Sequence, residues 1–245
     1  MKNINNLTPE VTEYLKRLKL TGMLETLFER NKEAIKNKMS YIDFIITMMQ
    51  DEILRRDQNK FKSKIKKSCI KANKTIEKFN FDFNPKINSH KIKDLLTCDF
   101  INKNIFVLFT GPCGTGKSHL AQAIGFAAIQ KDVDVLFTTQ DKINKELSRA
   151  KTTGVFENRI KKFIRAPLLI IDDFGIKPFK DNQEEDFHDI VAERYENLPT
   201  IITSNLGFNE WQKIFTNKLL GSAVLDRIRH NAELITLEGE SFRGN

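Results

Sequence analysis

Cysteine is scarce in this chain, and Cys69, Cys98 and Cys113 share no C-x-x-C spacing. Three cysteines at irregular intervals argue against a disulfide framework or a cysteine metal site, and fit a reducing cytoplasm. Long apolar runs are also absent. Nothing approaches the roughly 18–20 residues that a membrane helix needs, so no membrane role is expected. The opening Met1-Lys2-Asn3-Ile4-Asn5-Asn6 has no apolar h-region, so no secretory signal is expected. Repeats and low-complexity tracts are missing, apart from a lysine bias. What remains is 245 residues, 40% hydrophobic and 29% charged, ordinary values for a soluble chain of one or two domains.

The net charge of +8 is unevenly placed. Residues 1–80 hold 18 Lys/Arg against 10 Asp/Glu, whereas residues 81–245 hold 22 of each. Such asymmetry suggests a nucleic-acid-facing module joined to a neutral enzymatic one.

The neutral part contains Gly111-Pro112-Cys113-Gly114-Thr115-Gly116-Lys117-Ser118, which reads G-x-x-x-x-G-K-[ST]. Before it, residues 105–110 form a continuous apolar stretch suited to a buried parallel strand. After it, Leu120, Ala123, Ile124, Ala127 and Ala128 recur on one face of a helix. Strand, glycine loop and helix are the order in which backbone N–H groups cradle a nucleoside triphosphate. Lys117 would reach the β- and γ-phosphates, and the Ser118 hydroxyl would ligate Mg²⁺.

Thr8-Pro9 reads as a helix start. Val11, Leu15 and Leu18 form its stripe, Thr21-Gly22 breaks it, and Met23, Leu24, Leu27 and Phe28 suggest a second short helix. Ser40 and Asp43 resemble a capping box before a third helix, with Met48 and Met49 expected in the core. That helix would run on through Lys60, Lys62, Lys64 and Lys66. The basic run is either a solvated face or a contact with DNA phosphates, and its confinement to the first third favours DNA. Residues 1–78 are thus expected to form a basic helical domain, and 79–104 a linker and the start of the ATPase module, with the Phe79–Pro85 stretch extended. An ATPase domain is expected over 105–245.

Strand and helix alternate from residue 105, with strands at 133–138, 168–171, 200–203 and 234–237. This predicts an α/β fold with a parallel sheet covered on both faces. Asp172 ends an apolar strand where a Mg²⁺-holding carboxylate belongs, and Asp173 beside it would polarise the attacking water. Asn205, ending the next strand, either faces the γ-phosphate or simply sits in a turn.

The segments GPCGTGKSHLA, LLIIDDFG, TIITSNLGFNEW and LLGSAVLDRIRH resemble the AAA+ ATPases of the IstB/DnaC group. LKRLKLTGMLETL, SYIDFI, the FDF-x-P linker and the terminal GESFR are similar to the IstB-like members in particular. The resemblance implies an AAA+ three-layer domain with a five-stranded parallel sheet, preceded by a small helical domain, in a bacterial cytoplasmic protein. It matches Lys117 and Ser118 to Walker A, with His119 following in the nucleotide-binding segment, Asp172 and Asp173 to Walker B, and Asn205 to sensor 1. Arg227 looks like an arginine finger entering a neighbouring subunit's site, with Arg229 as a rival and a surface pair with Asp226 as the bland reading. Lys142, Lys145 and Arg149 fall where this clade lines a DNA channel. ATP-dependent homo-oligomers on DNA that recruit and activate a transposase are implied.

Two departures stand out. Asp173 occupies a position where many AAA+ proteins have Glu, and a carboxylate one methylene shorter implies slow hydrolysis. The chain also ends without a full helical lid, leaving Arg243 as a weak sensor 2 candidate. A replicative helicase loader is the nearest rival function. A non-hydrolysing DNA clamp and a P-loop kinase are the others, and the kinase gives no reason for a basic helical domain.

Overall fold

The computed structural model describes residues 9–84, 86–180, 182–239 and 241–242; Thr8 and Arg243 lie outside them. The chain divides into two compact units, with the boundary between Ser63 and Lys64. This falls earlier than residue 78, because Lys64 already pairs with Asp132 and Asp134 of the second unit, at 2.8 and 3.0 Å.

The first unit contains α1 (Pro9–Arg17), α2 (Thr21–Asn37) and most of α3 (Tyr41–Ser68). Ser40 Oγ accepts the Asp43 N–H at 3.1 Å, the expected cap of α3. The expected break between two helices is there, three residues earlier at Leu18–Leu20, and Gly22 lies in the first turn of α2. It is there because α2 and α3 cross closely: an added Cβ would lie 2.8 Å from Glu52 Cα and Asp51 O. The buried Glu52 carboxylate accepts the Gly22 and Met23 N–H groups at 2.7 and 3.3 Å, satisfying donors that the start of a helix leaves unpaired. It also accepts Arg56 Nε at 2.7 Å. Met48 is buried, but Met49 is 53% exposed and not a core residue.

The second unit opens with a 3-10 turn at Ile76–Lys78, then α4 (Ser89–Leu96) and α5 (Asp99–Asn102). Residues 79–84 are not a helix, but they are not fully extended as expected: the Asn84 N–H closes a turn on Phe81 O at 3.2 Å, and Pro85 lies outside the described residues. Asn88 caps α4 by accepting the Lys91 N–H at 3.1 Å, and α4 buries Ile92 and Leu95. There follow β1 (Phe106–Thr110), α6 (Lys117–Gln130), β2 (Val135–Thr139), α7 (Gln140–Thr152), α8 (Phe156–Ile164) and β3 (Leu168–Phe174). Then come α9 (Gln183–Arg194), β4 (Thr200–Ser204), a 3-10 stretch at Phe208–Ile214, α10 (Lys218–His230) and β5 (Ala232–Thr236). The five strands form one parallel sheet in the order β2-β3-β4-β1-β5.

Alternation along β1 explains the layers. Phe106 and Leu108 join a core with Leu147, Phe163, Phe187 and Ile228 from α7 to α10. Val107 and Phe109, equally buried, point to the opposite face. Helix α6 covers the sheet so closely that a Cβ at Gly125 would lie 2.7 Å from Ile170 Cδ1. Burying each large side chain contributes about 1.5–3 kcal/mol. Arg194 is fully buried, and its guanidinium donates to the carbonyls of Phe163, Ile164, Ala166 and Pro199. Burial pushes its pKa down to about 9, which leaves it charged at neutral pH. Among the described residues no helix is long and apolar enough to cross a membrane.

Candidate nucleotide-binding site

The glycine loop joins the C-terminal end of β1 to the start of α6, so the N-terminus of a 14-residue helix points at whatever the loop holds. Gly114 and Gly116 have φ of +84° and +95°, a conformation that costs an L side chain about 1–2 kcal/mol. Beneath the loop, Thr115 Oγ donates to Pro112 O at 3.0 Å. The Lys117 ammonium is folded back, donating to the carbonyls of Gly111 and Pro112 at 2.7 and 2.6 Å.

A cavity of about 780 Å³ opens beside this loop. Cys113, Gly114, Gly116, Lys117, Ser118 and His119 line it from the loop side, and Asp172, Asp173 and Asn205 from the ends of β3 and β4. Gly111, Pro112 and Thr115 do not line it; Thr115 is buried behind the loop. His119 Nε2 lies 2.8 Å from Thr75 O. Burial holds the His119 pKa below its ordinary value, the nearby Lys74 charge acts in the same direction, and the Thr75 hydrogen bond opposes both.

Asp172 and Asp173 differ in setting. Asp172 is buried and opposite Thr139 of β2. Asp173 is exposed at an irregularity in the β3–β4 register, with φ +57°. Asp tolerates that left-handed backbone better than Glu does, a physical reason for the shorter acid here. Thr203 of β4 ties the two together: its hydroxyl donates to Asp172 Oδ1 at 2.5 Å and accepts the Asp173 N–H at 3.1 Å.

Sequence reasoning missed Thr203, and also Gln140, whose buried side chain accepts the Gly175 N–H at 2.7 Å and braces the turn after β3. Lys71, Lys74, Lys78, Phe79 and Asn80 were missed as well, and they form the wall facing α6. Three lysines from the basic first third therefore face the nucleotide cavity.

The remaining candidates lie elsewhere. Arg227 is half-buried on α10, with Nη1 3.3 Å from His188 Nε2 of α9 and donating to Ala223 O at 3.3 Å. It does not reach its own chain's cavity lining. Arg229 stacks over Phe208, 5.3 Å from the ring centroid, and lines a separate cavity. Lys142, Lys145 and Arg149 are exposed along α7 and line a groove of about 580 Å³ with Arg159 and Lys162. Lys145 pairs with Asp141 at 2.6 Å. Lys60, Lys62 and Lys66 are exposed on α3, whereas Lys64 is only 14% exposed and paired with Asp132 and Asp134.

A parallel sheet carrying a glycine loop after β1, with two acids at the end of β3 and β4 between the two strands, defines a P-loop nucleotide-binding domain of the AAA+ kind. The match to the family model of the IstB-like ATP binding proteins covers residues 13–245, and the chain belongs to that family. It is 34% identical over 233 residues to a protein named as an ATP-binding protein of insertion sequence IS5376 in Geobacillus stearothermophilus, covering 95% of this chain and 93% of that one. It is 32% identical over 240 residues to the corresponding IS232 protein of Bacillus thuringiensis subsp. berliner, covering 98% and 96%. Among solved structures, the DnaC helicase loader is similar at 25% identity with a TM-score of 0.54, over 61% of this chain and 87% of that one. DnaI, at 21% identity and a TM-score of 0.59, shares the fold over 67% and 90%.

Proposed function

We propose that this chain is a DNA-dependent ATPase that assembles on DNA with ATP and recruits and activates a transposase. The observation that carries the reading is the convergence of Lys117, Ser118, Asp172, Asp173 and Asn205 on one cavity. Lys117 leaves its two loop carbonyls to neutralise charge on the β- and γ-phosphates. Asp173 orients the attacking water, and Asn205 holds that water or the γ-phosphate from the next strand.

Ser118 and Asp172 offer the oxygen donors that Mg²⁺ takes, with Thr203 fixing the carboxylate. Among the described residues no group of three or more His, Cys, Asp and Glu forms a metal cage. That donor set suits an ion held largely by phosphates and water. Bound there, Mg²⁺ would neutralise charge developing on the phosphate oxygens.

For DNA, the supporting features are the groove with Lys142, Lys145 and Arg149, and Lys60, Lys62 and Lys66 on α3. Lys64 drops out of this set because only 14% of its side chain is exposed. Arg227 completes the site of a neighbouring subunit in a homo-oligomer. The basic helical region over residues 1–78 supplies contacts to DNA, to the partner or to further copies.

A replicative helicase loader is the second reading, favoured by the DnaC likeness. Relatives named for insertion sequences match more of this chain and at higher identity, which favours the transposition role. The test is capture on DNA with ATP. The protein is expected to retain the transposase of its own element; retention of the host replicative helicase instead would overturn the reading. If both contacts are to phosphates, DNA affinity falls with salt similarly on unrelated sequences.

A further inference from the structure

Leu237, Glu238, Gly239, Ser241 and Phe242 pack against the phosphate loop and residues 79–84. Leu237, fully buried, donates its N–H to Thr110 O at 2.8 Å, and a Cβ at Gly111 would lie 2.0 Å from Leu237 O. Asn84 Nδ2 then donates to Glu238 O, and a Cβ at Gly239 would lie 2.7 Å from the Asn84 amide. Further on, Ser241 packs on Gly114 so tightly that a Cβ there would meet its Oγ at 2.0 Å. The Phe242 N–H donates to Gly114 O at 3.0 Å.

The Phe242 ring adds a second hold and also reaches the lining of the nucleotide cavity, so loop order measured without nucleotide is what isolates its positioning role. Its centroid lies 4.2 Å from Phe83 and 5.6 Å from Phe79. Phe79 in turn lies 5.4 Å from His119 and occupies the space a Cβ on Gly116 would take. The glycine loop is therefore pressed between the chain's tail and residues 79–84. This matters because a loop with three glycines at positive φ loses much conformational freedom when it is fixed. A loop held in place beforehand does not meet that cost when a ligand arrives.

We propose that Ser241 and Phe242 are positioning residues for the phosphate loop. Through the Gly114 carbonyl and the Phe79–Phe83 rings they hold Gly114–Gly116 in the shape that receives a triphosphate. The proposal rests on the nucleotide-binding reading.

The test uses the full-length chain and two readouts. Amide hydrogen exchange at Gly114–Gly116, measured without nucleotide, is expected to rise at least several-fold in Phe242→Ala and stay near wild type in Phe242→Tyr. Affinity for a fluorescent ATP analogue is expected to fall roughly tenfold in Phe242→Ala, as loss of two aromatic contacts implies. Turnover at saturating ATP falls less than affinity does, and Phe242→Tyr restores both. Wild-type exchange at the loop in a folded Phe242→Ala protein would overturn the proposal. A wild-type chain that binds no ATP analogue would instead overturn the nucleotide reading, and the exchange measurement would still decide the positioning role.

Discussion

Thr203 holds Asp172. The hydroxyl donates to the carboxylate at 2.5 Å while accepting the Asp173 N–H, so one side chain of β4 fixes both acids at the end of β3. A hydrogen bond to a charged group is worth about 1.5–3 kcal/mol, or roughly 10- to 100-fold in a rate that depends on it. Thr203→Val keeps the shape and removes the hydroxyl. It is expected to bind ATP yet lower turnover by about that factor, and Thr203→Ser to recover most of it. Steady-state phosphate release checks this; undiminished turnover in Thr203→Val would remove Thr203 from the site.

Arg227 sits against His188 of its own chain, away from its own nucleotide cavity. If it completes a neighbour's site, Arg227→Ala binds ATP but turns over poorly, by a factor on the order of 10³ or more. Lys117→Ala is inactive for a different reason. Mixed on DNA, the two proteins are expected to recover part of the activity, because each intact loop meets an intact Arg227 at some junctions. Absence of recovery in mixtures shown by cross-linking to co-assemble would mean that Arg227 acts within its own chain or not at all.

Glu52 links acidity to the first unit. Burial raises its pKa, but hydrogen bonds from Arg56 and from the Gly22 and Met23 N–H groups outweigh burial and hold it below the ordinary carboxylate value. Its stabilising contribution is therefore present above the unfolded-state pKa of about 4.3 and is lost as pH falls through the lowered value. Glu52→Gln is expected to cost about 2 kcal/mol at pH 7, a cost that shrinks as falling pH protonates Glu52 in the wild type. Hydrogen exchange at Gly22 and Met23 reads this locally, and equal protection in both proteins at pH 7 would contradict it.

Much of the second unit was legible because its strands are short apolar runs closed by turn or acidic residues, as residues 168–171 are by Asp172-Asp173. The phosphate loop was legible because glycine, lysine and serine at fixed spacing have few other uses. What was missed depends on contacts distant in sequence. Thr203 looks like an ordinary strand residue until the β3–β4 irregularity brings Asp173 beside it. Gly22 reads only as part of a helix break, since the crossing with α3 that demands a glycine lies 30 residues away. Helices α4 and α5 are too short to show a sustained period. The tail reads as a polar ending until Phe242 is seen against Phe83.

The central claim is that this site hydrolyses ATP and that DNA stimulates it. The direct measurement is γ-phosphate release by the full-length chain, with and without duplex DNA, beside Lys117→Ala and Asp173→Asn. Slow wild-type turnover that rises with DNA is predicted. Both variants are expected to fall by about 100-fold or more, with Asp173→Asn still bound to ATP and DNA and Lys117→Ala, in the absence of nucleotide-competent subunits, bound to neither. Wild-type turnover by a folded Lys117→Ala protein would contradict the account, as would a wild-type chain that releases no phosphate with or without DNA.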